Sequence, residues 1–278
     1  MLFHGKNLLD LTDEQMCKIR GGGIAMIFQD PLSALNPTVR VGKQISEALI
    51  RRNKRMSRAE AQKRAIELMR EVGIKDAEMR YSEYPFQFSG GMRQRIVIAI
   101  ALALNPEVLI CDEPTTALDV TVEAQILELI DELKRRRGLS VLFITHDLGV
   151  VARIADRVAV MYAGRVVEYG TAEEIFFSPK HPYTWALFSS APTLNSFGRL
   201  EAIAGFVPSI SELSEADAFA PRNKYALAID FELAPPTFKI SETHGVASWL
   251  YHPLAPKIEM PEQLRRRIEC EGGFENEW

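Results

Sequence analysis

One short segment constrains the fold of this chain more than any other, an apolar run that passes directly into two acids, Val108-Leu109-Ile110-Cys111-Asp112-Glu113. Such a run is typical of a strand that is buried on both faces of a sheet. A second apolar run follows at Val141 to Thr145, and helical patterns lie between the two. The alternation of strand and helix from residue 92 to residue 162 predicts an α/β fold with a parallel sheet.

The two carboxylates come at the carboxyl edge of the predicted strand, where parallel α/β sheets bind their ligands. Asp112 is placed to hold Mg²⁺, which prefers oxygen ligands, and Glu113 is placed to orient a water for attack on a phosphoryl group. The alternative is structural, because acids in front of the helix predicted from about Val120 to Arg137 also complement its dipole.

Three further features accompany this strand. The segment Phe88-Ser89-Gly90-Gly91-Met92-Arg93-Gln94 opens an apolar helix with two glycines, which leave N–H groups free for a phosphate. Gln29 directly follows a predicted strand, Ile24 to Phe28, and His146 directly follows the strand that ends at Thr145. The plainer alternatives are an ordinary helix turn, a surface amide and a structural histidine.

Composition excludes several classes of protein. The net charge is −4, which gives no broad field to attract nucleic acid or an anionic membrane. The apolar run from Ile96 to Leu104 is too short to span a bilayer. Three widely spaced cysteines suit free thiols better than a disulfide framework.

Four motifs in this order resemble the nucleotide-binding subunit of ABC transporters, and the resemblance extends over roughly Asn7 to Leu250. The sequence around the motifs is similar to that of the subfamily that energises oligopeptide and dipeptide importers. The four motifs read FQD from residue 28, FSGGMRQR from residue 88, LICDEPTTALD from residue 109 and FITHD from residue 143.

The resemblance implies a role for each matching position that lies at the end of a predicted strand. Gln29 is the Q-loop glutamine, which contacts Mg²⁺ or its water, and Asp112 closes the Walker B strand and positions Mg²⁺. Glu113 is the general base or water-orienting group, and His146 is the switch histidine.

The remaining matches belong to the interface with a second subunit. The resemblance implies that Ser89, Gly90, Gly91 and Gln94 form the signature motif, which binds the ATP held by the opposite subunit, and that Asp119 lies in the D-loop. The segment of about residues 41–85 is then the helical subdomain, which receives a coupling helix of the membrane subunit.

The motif G-x-x-x-x-G-K-[ST] of a phosphate-binding P-loop does not occur in the sequence. We therefore expect an α/β core of the P-loop NTPase-like ABC ATPase type that lacks its first strand and its P-loop. This expectation includes weak binding of ATP by the chain's own site, and an uncovered apolar surface that makes the isolated chain prone to aggregate.

The C-terminal part departs from some relatives, which carry four cysteines that hold an iron–sulfur cluster. The matching positions are Asp217, Asn223, Asp230 and Ser248, so we expect no cluster. The predicted domains are an incomplete ABC ATPase core over residues 1–190 and a loop-rich, oligopeptide-transporter-type extension over residues 191–278.

The first interpretation is an ATP-hydrolysing subunit of a peptide importer, with ATP and Mg²⁺ as substrate and cofactor. Its partners are membrane-spanning permease subunits and a second ABC ATPase subunit, and it lies peripherally at the cytoplasmic face of the cell membrane. The alternative is a catalytically deficient interaction module that supplies only the signature motif to a partner's ATP site. A soluble ABC ATPase acting on DNA or ribosomes is a third, less supported reading.

Overall fold

A computed structural model describes residues 1–116, 118–190, 203–208 and 215–271, in two compact units, Met1–His146 and Asp147–Trp278. The predicted start of the extension at residue 191 lies outside the described residues. The first unit contains strands β1 (Leu2–Phe3), β2 (Lys6–Asn7), β3 (Ile24–Ile27), β4 (Val108–Asp112) and β5 (Ser140–Ile144), and helices α1 (Asp13–Ile19), α2 (Pro31–Ala34), α3 (Val41–Arg52), α4 (Arg58–Glu71), α5 (Ala77–Arg80), α6 (Gly90–Ala103) and α7 (Val120–Arg137).

The centre of the first unit is a parallel sheet with the strand order β3-β4-β5. In its register, Ile27 pairs with Cys111 and Asp112 pairs with Ile144, so the three strands end at the same edge. One face is fully buried at Ile27, Leu109 and Cys111, each 0% exposed. The predicted parallel α/β sheet is therefore confirmed in this unit.

The other face of this sheet is not covered by the described residues. Met26, Phe28, Leu142 and Ile144 are apolar and between 36% and 54% exposed. Parallel sheets are usually covered on both faces, because their connecting helices pack on both sides. We call these four side chains the bare sheet face.

Helices α3 and α4 form a small helical lobe. The pattern from Val41 to Val72 is helical in the sequence, with a capping box predicted at Ser57 and Glu60, and the structure interrupts the helix between Arg52 and Arg58. The interruption follows from a capping box at Ser57, whose hydroxyl accepts from the Glu60 N–H while the Glu60 carboxylate accepts from the Ser57 N–H. The lobe buries the facing apolar side chains Val41, Ile45, Ala61, Ala65, Leu68 and Met69.

The second unit contains strands β6 (Arg157–Tyr162), β7 (Arg165–Thr171), β8 (Thr237–Lys239) and β9 (Gly245–Ala247), and helices α8 (Leu148–Ile154), α9 (Ala172–Phe177), α10 (Pro182–Ser190) and α11 (Glu262–Glu271). The segments Val158 to Tyr162 and Arg165 to Glu168 predict a hairpin around Ala163 and Gly164, and the antiparallel pairing of β6 with β7 confirms it. Continuation of the parallel sheet to residue 162 is wrong, because β6 belongs to an antiparallel sheet with the order β6-β7-β9-β8.

A fully buried glutamate holds this second unit together. Glu168 is 0% exposed and accepts hydrogen bonds from the N–H of Lys180 and of His181 and from the Thr184 hydroxyl. His244, from the segment between β8 and β9, lies 2.8 Å from Glu168 Oε1, the oxygen that also accepts from the Lys180 N–H. A buried carboxylate needs several such partners, which fix the His-Pro-Tyr-Thr segment against β7.

The four positions that carry cysteines in some relatives serve as local hydrogen-bond acceptors. The side chains of Asp217, Asn223, Asp230 and Ser248 accept from the backbone N–H groups of Phe219, Tyr225, Leu227 and Leu250. Burial raises the pKa of Asp217 and of Asp230. The expectation that no cluster binds here stays a prediction.

Candidate functional site

The candidate site is centred on the Glu113 carboxylate at the edge of the parallel sheet. Gln29 Nε2 donates to Glu113 Oε2 over 3.0 Å, and His146 Nδ1 lies 2.9 Å from Glu113 Oε1. The Thr116 hydroxyl donates to Oε2 over 2.8 Å. The structure thus brings three of the residues singled out in the sequence into one constellation.

The parallel register explains why these side chains meet. Gln29 lies two residues beyond the end of β3, Glu113 directly follows β4, and His146 lies two residues beyond β5. Parallel strands end at one edge, so residues that are far apart in the chain become neighbours there. The Glu113 N–H donates to the Ile144 carbonyl over 2.9 Å and ties the turn after β4 to β5.

The backbone of Glu113 adopts a left-handed conformation, with φ at 43°. This region is unfavourable for a residue with a Cβ atom and is concentrated at functional sites. The N–H group bonded to Ile144 and the turn closed by Thr116 N–H on the Glu113 carbonyl hold the conformation in place.

The surroundings favour the ionised form of Glu113. The hydrogen bond from His146 lowers the pKa of this carboxyl most, the bond from Thr116 lowers it further, and burial opposes both. The carboxylate is 24% exposed and the His146 side chain 75% exposed, so both reach solvent. An ionised, accessible carboxylate can accept a proton or orient a water.

Asp112 is the last residue of β4 and is half-buried beside Glu113. Among the described residues, no group of three or more His, Cys, Asp and Glu side chains could hold a metal. The Asp112 carboxylate at the sheet edge fits Mg²⁺ bound by one carboxylate together with water and substrate oxygens, the usual manner for this ion. The assignment of Asp112 and Gln29 as metal ligands stays a prediction.

The start of α6 carries the predicted signature residues. Ser89 caps the helix by accepting from the Met92 N–H over 3.4 Å, and both Ser89 and Gly90 are exposed. Gly91 is buried against α7, where an added Cβ would lie 2.4 Å from Val122 Cγ1. The first glycine is thus open to a ligand, and the second is required by helix packing.

Gln94 differs from its motif neighbours. It is 1% exposed, and its amide nitrogen and oxygen have no hydrogen-bond partner among the described residues. This amide lies inside the unit, whereas a residue that touches nucleotide directly is expected at a surface.

Asp119 is exposed and caps α7 by accepting from the Val122 N–H over 3.0 Å. The nucleotide-binding roles of Gln94 and Asp119 stay predictions.

Two family models match the chain, that of the ABC transporter over residues 1–116 and that of the oligopeptide/dipeptide transporter C-terminal region over residues 167–229. The dipeptide transport ATP-binding protein DppD of Lactococcus lactis is 58% identical over 96% of this chain and 77% of that protein. The chain belongs to the ATP-binding proteins of the ABC oligopeptide and dipeptide transporter family.

Other members and solved ABC cassettes agree with this assignment. The oligopeptide transport ATP-binding protein OppD of Bacillus subtilis is 56% identical over 96% of this chain and 75% of that protein. The dimeric, post-hydrolysis structure of the ATP-binding cassette MJ0796 bound to ADP and Pi is 30% identical, with a TM-score of 0.55 over 61% of this chain and 72% of that one. CbiO1 from Clostridium perfringens, part of the transporter complex cbiONQ, gives a TM-score of 0.56 at 30% identity, over 64% of this chain and 67% of that one. The expected ABC ATPase fold class is confirmed.

Thr116 is the contact of Glu113 that sequence analysis did not single out. A hydroxyl three residues after the glutamate, with Pro114 between them, is the pattern that indicates it, because such a turn brings residues i and i+3 together. The same spacing is common in turns without any site, so the pattern alone is weak.

Proposed function

We propose that this chain is an ATP-hydrolysing subunit of a peptide importer. The observation that carries the proposal is the convergence of Gln29, Thr116 and His146 on the Glu113 carboxylate at the edge of the parallel sheet. The names of the relatives, which describe dipeptide and oligopeptide transport, support peptides as the cargo.

In this proposal Glu113 is the water-orienting group of ATP hydrolysis. The hydrogen bonds that lower the pKa of Glu113 favour its ionised form, which accepts a hydrogen bond from the attacking water. Gln29 and His146 lie within reach of the same space and are available to the metal-bound water and to the terminal phosphate. When bound, Mg²⁺ supplies charge neutralisation on the phosphates, and Asp112 and Gln29 would hold it.

The proposal includes partners and a location. A membrane-spanning permease pair and a second ATPase subunit complete the assembly, at the cytoplasmic face of the membrane. Of the helices in the described part of the chain, none is long and apolar enough to cross a bilayer. The exposed Ser89 and Gly90 at the start of α6 are available to a nucleotide held by the second subunit.

A second function has its own supporting observation. Ser89 and Gly90 are exposed at the start of α6, where free N–H groups can meet a nucleotide held by another subunit. In this alternative the chain supplies only its signature motif to a partner's ATP site, and Glu113 takes no part in hydrolysis.

Uptake of a labelled dipeptide by cells that express the tagged chain distinguishes the two functions. If the chain hydrolyses ATP, both Glu113→Gln and Gly90→Asp abolish uptake. If it supplies only the signature motif, Gly90→Asp abolishes uptake and Glu113→Gln leaves it unchanged. Uptake that survives both substitutions contradicts both functions, provided that immunoblots show equal amounts of each variant.

A further inference from the structure

Thr116 differs from Gln29 and His146, the other partners of the Glu113 carboxylate, because it lies in the turn that directly follows Glu113. A carboxylate only accepts, so the Thr116 hydroxyl is the donor in the 2.8 Å contact with Glu113 Oε2. We propose that Thr116 is a positioning residue, which fixes the direction of the Glu113 carboxylate when Gln29 and His146 turn to other partners. This inference rests on the proposed role of Glu113 in hydrolysis.

The contact from Thr116 is local, whereas the other two come from distant parts of the chain. Thr116 lies three residues after Glu113, and its own N–H donates to the Glu113 carbonyl over 3.3 Å. The next turn is closed by the Leu118 N–H on the Thr115 carbonyl over 3.0 Å. Gln29 and His146 approach from the ends of β3 and β5. Their distances to Glu113 depend on the sheet and on loops, but the distance from Thr116 depends only on one turn.

The partners of Glu113 are divided between its two carboxylate oxygens, and this division determines what the Thr116 contact can do. Gln29 and Thr116 share Oε2, and His146 faces Oε1. When the proposed function engages Gln29 and His146 elsewhere, Thr116 still holds Oε2, which leaves Oε1 directed away from the turn. A carboxylate that is already oriented needs no reorganisation when it meets the attacking water.

Nuclear magnetic resonance on the 278-residue chain tests the contact without any activity. Thr116→Val keeps the shape of the side chain and removes the hydroxyl, whereas Thr116→Ser keeps the hydroxyl. At one fixed neutral pH, we expect Thr116→Val to shift the Glu113 ¹³Cδ resonance and Thr116→Ser to leave it near the wild-type position. The matched control is Thr243→Val, which removes a threonine contact to Glu174 and should shift only the Glu174 resonance.

An unshifted Glu113 resonance in Thr116→Val, or equal shifts in the Val and Ser variants, overturns the inference.

A kinetic measurement uses the ATPase assembly purified through a tag on this chain. There Thr116→Val should lower kcat about tenfold, the effect of one hydrogen bond to a charged group, with the KM for ATP unchanged and Thr116→Ser close to wild type.

Glu113→Gln in the same assembly separates the two claims. If Glu113→Gln stops hydrolysis and Thr116→Val leaves kcat unchanged, the positioning role is wrong and the proposed function stands. If Glu113→Gln hydrolyses ATP at the wild-type rate, the proposed function is wrong. The resonance of Glu113 in Thr116→Val then decides alone whether the contact orients the carboxylate.

Discussion

At the scale of single residues, two glutamates organise their surroundings by accepting hydrogen bonds. Glu113 and Glu168 each collect several donors, one at an open sheet edge and one in a closed interior. A carboxylate that accepts several hydrogen bonds therefore has two different roles in this chain. At Glu113 the carboxylate reaches solvent and is available for chemistry, whereas at Glu168 it is sealed and fixes the position of the His-Pro-Tyr-Thr segment.

His181 in that segment predicts how the second unit responds to acid. Burial lowers the pKa of His181 to about 4, from an ordinary value of 6.5. The unfolded chain therefore binds a proton between these pH values while the folded unit does not, so stability is lost as the pH falls from 6.5 to about 4. We expect a loss on the order of 3 kcal/mol in the free energy of unfolding.

Tryptophan fluorescence measures this loss, because Trp185 and Trp249 belong to the described part of the second unit. Urea unfolding at a series of pH values should show the loss in the wild type and a smaller one in His181→Gln. Equal slopes in the two proteins would contradict the burial of a neutral His181.

At the scale of elements, helix ends, the parallel sheet and the hairpin were predictable, whereas the order of the second sheet was not. The end of α7 followed from Gly138, which adopts the left-handed conformation with φ at 63°. The strand β6 had the same apolar pattern as a parallel strand, but it pairs with β7 in the predicted hairpin, and β7 pairs in turn with β9. The pairing of β7 with β9 depends on residues far along the chain, which a local pattern does not contain.

In the candidate site, too, some residues were predictable from the sequence and others were not. Gln29, Glu113 and His146 were predictable as neighbours, because each follows a strand of one parallel sheet. The burial of Gln94 was not predictable, because it depends on how α6 packs inside the unit, and Thr116 was hidden in an ordinary turn. Motif membership thus does not say whether a residue lies inside the unit or at its surface.

The glycine pair of α6 gives a prediction at this scale. Gly91→Ala places a methyl group 2.4 Å from Val122 Cγ1, so α6 and α7 must separate, at a cost of about 1–3 kcal/mol. Gly90→Ala is the matched control, because its methyl meets Leu118 Cδ2 at an ordinary 3.5 Å. Hydrogen exchange of the α6 and α7 amides should accelerate in Gly91→Ala only.

Val122→Ala removes the obstructing methyl groups and should restore slow exchange in the Gly91→Ala background. Fast exchange that persists in the double variant, or equal acceleration by Gly90→Ala, would show that the glycines are not distinguished by packing.

At the scale of the whole molecule, the two units differ in how completely they are covered. The second unit surrounds Glu168, whereas the first leaves the bare sheet face in contact with solvent. Contiguous apolar surface of this kind promotes association with other molecules. The expectation that the 278-residue chain aggregates has a structural basis in these four side chains.

Substitution on that face tests this basis. Leu142 is 53% exposed, so Leu142→Thr should reduce self-association, measured by sedimentation velocity, at little cost in stability. Leu109→Ala on the opposite, fully buried face is the control and should cost about 2–5 kcal/mol without reducing association. Unchanged association in Leu142→Thr would mean that another surface is responsible.

The central claim is that Glu113, held by residues from three strand ends, takes part in ATP hydrolysis. The most direct measurement is the steady-state ATPase rate of the assembly purified through a tag on this chain, compared between wild type and Glu113→Gln. We expect a fall of about 100-fold or more, the usual cost of losing a carboxylate positioned on the attacking water. A Glu113→Gln assembly that hydrolyses ATP at the wild-type rate would contradict it.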